Sequence, residues 1–154
     1  MYHYTECGLD NVWLANGVAE KETSYGRAVA IRDVEKLHAA IADAVIRKPG
    51  RLTGKEFRFL RTELGLSQKA LARLVEADED GVARWERGVS KVPGGVDRLI
   101  RAFSRERIAG NARIEELLTS LAERNDTAPQ RITLRLHGGW KRAEIGRASG
   151  RERG

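Results

Sequence analysis

The sequence is poor in several features, and each shortage removes a class of protein from consideration. Cys7 is the only cysteine among 154 residues, so no disulfide can form within the chain, which suits a reducing compartment. No apolar run approaches the length of about 18 residues that a membrane-spanning helix needs. The first ten residues lack the basic and apolar regions of a signal peptide. We therefore expect a soluble, cytoplasmic protein that does not contact a membrane.

Catalytic and metal-binding motifs are also missing. The sequence contains no phosphate-binding loop, dinucleotide fingerprint, nucleophile elbow or HExxH motif. Glu115 and Glu116 are adjacent on a predicted helix, so their carboxylates point apart. His3 and Cys7 are too few to complete a zinc site, and the other two histidines lie far away in the sequence. We expect no enzymatic activity, no metal and no other cofactor.

Basic residues are what the chain has in excess. The net charge is +6, with 28 lysines and arginines against 22 acidic residues. Residues 1–54 are neutral, whereas residues 55–107 carry 12 basic and 9 acidic side chains, and residues 131–154 carry 7 and 2. This balance favours an anionic partner for the middle of the chain.

Residues 1–50 are predicted to form a small α/β element with a hairpin or meander and one helix. Residues 11–31 have extended patterns, with the turn dipeptide Asn16-Gly17 between an apolar run and an alternating stretch. Asp33 is placed to cap a helix that ends at residues 48–50, Lys-Pro-Gly. One face of this helix is predicted to carry Val34, Leu37, Ile41, Ala44 and Val45.

Residues 51–125 show the periodicity of five amphipathic helices. Thr53 and Glu56 are spaced as a capping box at the start of the first. Ser67 and Asp78 are placed to cap the second and third. The helices are predicted at residues 55–64, 67–75, 79–87, 96–103 and 111–123.

Two segments follow this helical region. Residues 126–143 are predicted to be an extension with a single half-exposed strand at 131–136, because "RITLRL" alternates apolar and polar residues. Residues 144–154, "EIGRASGRERG", lack apolar periodicity. We interpret them as a tail outside the fold, either disordered or translated from a sequencing adapter, and they carry no functional argument.

The second and third predicted helices are short and closely spaced. Ala72 is small enough to let two helices cross closely, and Val82 and Trp85 form an apolar underside on the later helix. In a helix-turn-helix, the first helix lies across the DNA backbone and the second enters the major groove. The outer face of the second helix then carries Glu79, Asp80, Ala83 and Arg84.

Residues 53–105 resemble the Cro/repressor (Xre-type) helix-turn-helix family. Gln68 matches the glutamine that opens the first helix of the family's pair, and residues 85–88, Trp-Glu-Arg-Gly, match the end of the second. Ala72 and Val82 match the family's small residue and its β-branched core residue. The resemblance implies a five-helix fold, sequence-specific binding of double-stranded DNA, and a phosphate contact from Gln68.

The sequence departs from this family at two places. Glu76 stands in the turn where the family usually has glycine, and a left-handed conformation there costs about 1–2 kcal/mol. Glu79 and Asp80 occupy positions that are often Gln, Asn, Ser or Arg in the family. Carboxylates repel phosphate but can accept a hydrogen bond from cytosine N4.

The predicted DNA contacts come from both helices and the loop that follows them. Arg84 is expected to contact a base, and Arg87, Ser90 and Lys91 to contact phosphates. Arg58, Arg61, Arg98 and Arg101 are interpreted as solvated side chains. The full predicted DNA-binding set is Ser67, Gln68, Lys69, Glu79, Asp80, Ala83, Arg84, Arg87, Ser90 and Lys91.

The predicted protein is thus mostly α, a five-helix Xre-type helix-turn-helix domain behind a small α/β element, with a short C-terminal strand. The predicted function is sequence-specific binding of double-stranded DNA to regulate transcription, in the cytoplasm on the nucleoid. One helix pair covers only a few base pairs, so we expect a homodimer on a palindromic operator. Residues 111–123 and 131–136 are the candidate dimer surfaces.

An alternative function comes from a second resemblance. A short β-containing segment with "GLDNVWLANG" at residues 8–17 precedes the helix-turn-helix. In this arrangement residues 5–105 are also similar to the zinc-finger/helix-turn-helix antitoxin family of toxin–antitoxin modules. Its zinc-binding members have two C-x-x-C pairs, which this chain lacks, so metal binding is not carried over. Under this alternative the N-terminal element binds a toxin protein, and DNA binding autoregulates the operon.

Overall fold

The computed structural model describes residues 1–110 and 128–143, together with Arg113, Glu116 and Ser120. The chain divides into two compact units, residues 1–124 and 125–154. Helix predominates, so the expected mostly α class is confirmed, with small antiparallel strand pairs. In order, the described elements are β1 (Tyr2–His3), β2 (Trp13–Leu14), β3 (Val18–Thr23), β4 (Gly26–Ile31), α1 (Val34–Arg47), α2 (Gly54–Glu63), α3 (Gln68–Leu74), α4 (Glu79–Arg87), α5 (Gly94–Ile108), β5 (Leu134–Leu136) and β6 (Trp140–Arg142).

The N-terminal strands pair differently from the expected hairpin at Asn16-Gly17. β2 is antiparallel to β1, with Tyr2 opposite Leu14 and His3 opposite Trp13. β3 and β4 form their own hairpin, turned at residues 24–25. Gly17 has a φ of +80° and lies between the two pairs. The turn dipeptide was therefore correctly recognised, but it joins two strand pairs instead of closing one.

Helix α1 begins at the expected place by a different mechanism. Asp33 is its N-cap residue but has a left-handed φ of 48° and makes no side-chain capping bond. The predicted apolar face is partly wrong, because Val34 and Ala44 are exposed. α1 packs against α2 and α5, and this contact selects a rotated face. The buried residues of α1 are Ile41, Ala42, Val45 and Ile46.

Helix α2 begins and ends where its local signals predict. The Thr53 hydroxyl accepts a hydrogen bond from the Glu56 amide at 3.2 Å, and the Glu56 carboxylate accepts one from the Thr53 amide at 2.8 Å. The capping box is therefore confirmed. Gly65 follows the helix with a φ of +74°, as a C′ glycine does.

Helix α5 is longer than the predicted span of residues 96–103. It starts at Gly94, because Pro93 takes the N-cap position with a φ of −61° and leads directly into the helix. Proline and two glycines had indicated a loop there. Of the predicted helix at residues 111–123, the structure describes only Arg113, Glu116 and Ser120, and all three are helical and exposed. No helix in the described part of the chain is long and apolar enough to span a membrane.

One buried cluster holds the first unit together. Its most buried large side chains are Phe57, Leu60, Leu71, Val82, Val92 and Ile100. Tyr4 and Leu9, from the N-terminal segment, and Ile41 and Val45, from α1, belong to the same cluster. Residues from both sides of the predicted boundary at residue 50 thus share one core.

Arg101 ties the end of α1 to α5 and was wrongly interpreted as a solvated side chain. Its guanidinium donates to the carbonyl oxygens of Ile46 at 3.1 Å and Lys48 at 2.8 Å, and it forms an ion pair with Asp97. The Asp97 carboxylate also accepts a hydrogen bond from the Leu52 amide at 2.7 Å. The segment between α1 and α2 is therefore held from the side of α5.

The second unit contains a hairpin where one strand was expected. β5 starts at Leu134, later than the predicted strand at 131–136, and pairs antiparallel with β6, so that Leu136 lies opposite Trp140. Gly138 and Gly139 have φ values of +73° and +146° and form the turn between the strands. The predicted tail, residues 144–154, lies outside the described residues.

Candidate nucleic-acid interface

A local capping signal fixes the start of α3. The turn between α3 and α4 contains one residue with a strained backbone. The Ser67 hydroxyl accepts a hydrogen bond from the Ala70 amide at 3.0 Å, which confirms Ser67 as the N-cap of α3. Glu76 has a φ of 53°, so the left-handed conformation anticipated at this position is present. Asp78 is the N-cap of α4 but makes no side-chain capping bond, contrary to its predicted role.

The two helices rest on the core through the residues expected there. Ala72 on α3 and Val82 and Trp85 on α4 are buried. The Trp85 ring meets the Phe57 ring edge-on, with 5.8 Å between centroids and an interplanar angle of 87°. The underside of α4 is therefore fixed against α2, and its opposite side faces solvent.

A buried carboxylate on α4 joins three helices. Glu86 accepts hydrogen bonds from Arg61 Nε at 2.5 Å and Arg61 Nη2 at 3.0 Å, and a third from Gln68 Nε2 at 2.9 Å. Arg61 also donates to the Leu66 carbonyl oxygen at 2.9 Å. Arg61 was interpreted as solvated, and that interpretation is wrong. Burial of a carboxylate without a cationic partner is energetically unfavourable, and Arg61 is the cationic partner of Glu86.

The position of Glu86 in the sequence is a signal for this network. Glu86 follows Val82 by four residues, so it lies on the same, buried side of α4. A charged residue at a buried position requires a partner of opposite charge. The network also engages Gln68, whose side-chain amide nitrogen is held by Glu86. The expected phosphate contact from Gln68 would use its remaining N–H.

Most of the predicted DNA-contact residues are exposed, so a polyanion can reach them. Gln68 and Ala83 are half-buried. Exposed members of the set are Ser67, Lys69, Glu79, Asp80, Arg84, Arg87, Ser90 and Lys91. Within residues 1–110 and 128–143, the side chains of Lys69, Arg84, Arg87 and Lys91 make no hydrogen bond or ion pair. Their charges are free to meet an external anion.

A cleft beside the C-terminal end of α4 adds a residue that the sequence did not single out. Ser90 and Lys91 line it with Arg51 and Gly54, in a volume of about 430 Å³. Arg51 Nη1 donates to the Val92 carbonyl oxygen at 2.6 Å, which holds the loop after α4 in place. Arg51 lies 40 residues before Lys91 in the chain, and no local pattern indicates this proximity.

The candidate metal ligands of the N-terminal segment have other contacts. The His3 ring stacks on Trp13 with 4.0 Å between centroids, and its Nε2 lies 2.6 Å from the Asp10 carbonyl oxygen. Cys7 is half-buried, with its Sγ 3.9 Å from the Tyr4 carbonyl oxygen. Across the described residues, no group of three or more His, Cys, Asp and Glu side chains is placed to hold a metal ion.

His38 joins the N-terminal segment to two helices. Its Nε2 lies 2.7 Å from the Tyr4 hydroxyl and its Nδ1 lies 3.0 Å from a Glu63 carboxylate oxygen. Burial, with a further contribution from nearby Cys7, raises the pKa of Tyr4 above its ordinary value of 10.0. The phenol therefore stays protonated and available to His38 over the whole neutral range.

Comparison of the chain with protein-family models, curated proteins and solved structures found no match. The short helix α4 is anchored on one side, and on the other it carries the exposed guanidinium of Arg84. Lys69 on α3 and Lys91 in the loop after α4 are also exposed. Such an arrangement can position side chains against a large, structured anion.

Proposed function

We propose that this protein binds double-stranded DNA in a sequence-specific manner and regulates transcription, with α3 and α4 as a helix-turn-helix of the Xre type. The observation that carries the proposal is the difference between the two sides of α4, one buried against the core and one exposed to solvent. Val82, Trp85 and Glu86 fix its inner side, whereas Arg84 is exposed and unpaired with other described residues. An arginine held on a rigid helix can donate two parallel hydrogen bonds to guanine in the major groove.

The basic residues around α4 also support an arrangement in which its exposed side faces the DNA. Lys69 lies on α3, Arg87 is the last residue of α4, and Lys91 lies in the loop after it; all three are exposed. Phosphate contacts of this kind fix the register of a protein on the duplex without sequence preference. Glu79 and Asp80, in the first turn of α4, then face the bases, where a carboxylate can accept a hydrogen bond from cytosine N4.

The proposal is tested by selecting bound duplexes from a random pool and measuring affinity for the selected site and for a scrambled one. Arg84→Ala should cost about 1–3 kcal/mol on the selected site and relax preference at one base position. Arg105→Ala is the matched control, because Arg105 is exposed near the C-terminal end of α5. Unchanged affinity and preference in a folded Arg84→Ala protein would exclude α4 as the recognition helix.

The antitoxin alternative has one supporting observation. A groove of about 480 Å³ between the β2 segment and α1 is lined mainly by apolar residues, among them Val12, Leu14, Leu37 and Ile41. Trp13 lies at this groove and is half-exposed. An adjacent reading frame that encodes a small ribonuclease-like protein would favour this function. Trp13→Ala should then weaken binding of that protein and leave DNA binding intact.

A further inference from the structure

In the part of the chain that the structure describes, the β3–β4 hairpin is an arm whose strands pair with no third strand. Its strands pair from Val18 and Ile31 at the base to Thr23 and Gly26 near the tip. Ten of its twelve strand residues are exposed, and only the two at the base are half-buried. An isolated two-stranded hairpin is marginally stable in water. A further strand would stabilise it by pairing with one of its edges.

The two edges of this arm differ in their side chains. β3 carries three consecutive charged residues, Glu20, Lys21 and Glu22. The residues of β4 opposite this stretch are Arg27, Ala28 and Val29, and Arg27 is the only charged residue of β4. Charged side chains are a common means of blocking an exposed edge. The β3 edge is protected in this way, and the β4 edge is not.

Symmetry favours a second copy of the same strand as the occupant. When a strand pairs antiparallel with its own copy across a two-fold axis, the residue at the axis faces its counterpart. At the centre of β3 that residue is Glu20, Lys21 or Glu22, and like charges directly opposite each other destabilise the pair. At the centre of β4 it is Ala28 or Val29, which carry no charge.

The charges of the arm also agree with a protein occupant. Strand residues 18–31 include two acidic and two basic side chains, so the arm has no net attraction for a polyanion. The charge of Arg27 is matched within the arm by Glu20, at 3.4 Å. A second copy therefore meets a neutral edge.

We propose that the free edge of β4 pairs antiparallel with β4 of a second copy across a two-fold axis. The result is a four-stranded sheet in the order β3-β4-β4-β3 and a homodimer held by the N-terminal element. This surface differs from the two candidate surfaces at residues 111–123 and 131–136. The proposal is independent of DNA binding, and its test needs no DNA.

The first experiment is sedimentation velocity of the full chain over protein concentrations from about 1 µM to 1 mM. Val29→Lys is the test variant, because Val29 lies opposite Glu20 within the arm and a lysine there can form an ion pair that preserves the hairpin. Ala19→Lys places the same charge on the β3 edge as a matched control. We expect a reversible dimer whose dissociation constant rises at least about tenfold in Val29→Lys, with little change in Ala19→Lys. A wild-type monomer throughout, or equal effects of both variants, would overturn the proposal.

Disulfide trapping tests the same contact without relying on that variant. In a Cys7→Ser background, cysteines are placed singly at Ala28 and Val29 on β4, and at Glu20 and Lys21 on β3. The proposal predicts covalent dimers on mild oxidation from one of the two β4 positions, since residues at a two-fold axis approach within the range of a disulfide. Trapping from β3 alone, or from no position, contradicts the proposal.

Discussion

The Cα of Gly54 lies against the last turn of α4, so that a Cβ added there would stand 2.3 Å from the Trp85 carbonyl oxygen and 2.6 Å from that of Glu86. Both neighbours are backbone atoms and cannot move aside as a side chain can. The N-terminal end of α2 and the C-terminal end of α4 therefore approach as closely as they do because residue 54 has no side chain.

Gly54→Ala should destabilise the protein by about 1–3 kcal/mol, because the two helix ends must separate to admit a methyl group. Thermal unfolding followed by circular dichroism measures the effect. Gly95→Ala is the matched control, since nothing lies within 4 Å of a Cβ at that helical position, and it should stabilise by about 0.5–1 kcal/mol. Equal stability of the two variants would show that the close approach is not maintained in solution.

Breaking the Arg61–Glu86 pair should cost more than removing both partners. The two side chains are only 12% and 4% exposed, so Arg61→Met leaves a buried carboxylate with Gln68 as its remaining donor. We expect a loss of about 3–5 kcal/mol in the free energy of unfolding. The double variant Arg61→Met/Glu86→Leu should recover part of that loss in urea denaturation. A double variant less stable than either single one would contradict this account.

Tyr4 should make the stability of the protein sensitive to alkaline pH. Because burial raises its pKa in the folded state, its contribution is fully present below the ordinary tyrosine pKa of about 10 and is lost as pH rises through the raised value. Urea denaturation between about pH 8 and pH 11 should show this decline. Tyr4→Phe should be less stable at neutral pH, through the lost hydrogen bond to His38, and should decline less steeply. Parallel declines in both proteins would refute the assignment to Tyr4.

Lys91 should contribute to DNA affinity without contributing to sequence preference. Lys91→Ala removes a free charge beside α4, so it should weaken cognate and scrambled duplexes equally and reduce the slope of log K against log salt by about one unit. Lys36→Ala, an exposed change on α1, is the control and should leave the slope unchanged. A loss confined to the cognate duplex would mean that Lys91 contacts a base.

Local signals predicted the helices within residues 1–110, and distant contacts explain what was missed there. The capping box of Thr53 and Glu56 and the cap at Ser67 each act within three residues, so they can be recognised from a short stretch of sequence. Arg101 instead contacts carbonyl groups more than 50 residues earlier in the chain. A guanidinium at such a position has the same local pattern as a solvated one, and only the fold distinguishes them.

The strands likewise show that local patterns can be recognised from the sequence whereas distant partners cannot. Alternation identified residues 131–136 as extended, but it carries no information about a partner, and β6 was missed. Likewise, the apolar run of Val12, Trp13 and Leu14 indicated a strand, yet the residues of its partner β1 lie ten and twelve positions earlier. For the proposed interface, periodicity placed Arg84 on the outer side of α4 correctly, whereas the link from Glu86 to Gln68 required the folded chain.

The three donors around Glu86 have a thermodynamic consequence for recognition. Gln68 is already held in one rotamer by the folded protein, and α3 and α4 cannot rotate past each other without breaking that bond. The conformational entropy of this side chain and of the helix pair has therefore been lost during folding. A duplex that meets this surface does not have to order the helix pair, so the ordering part of the binding cost comes from exposed side chains such as Arg84 and Lys91.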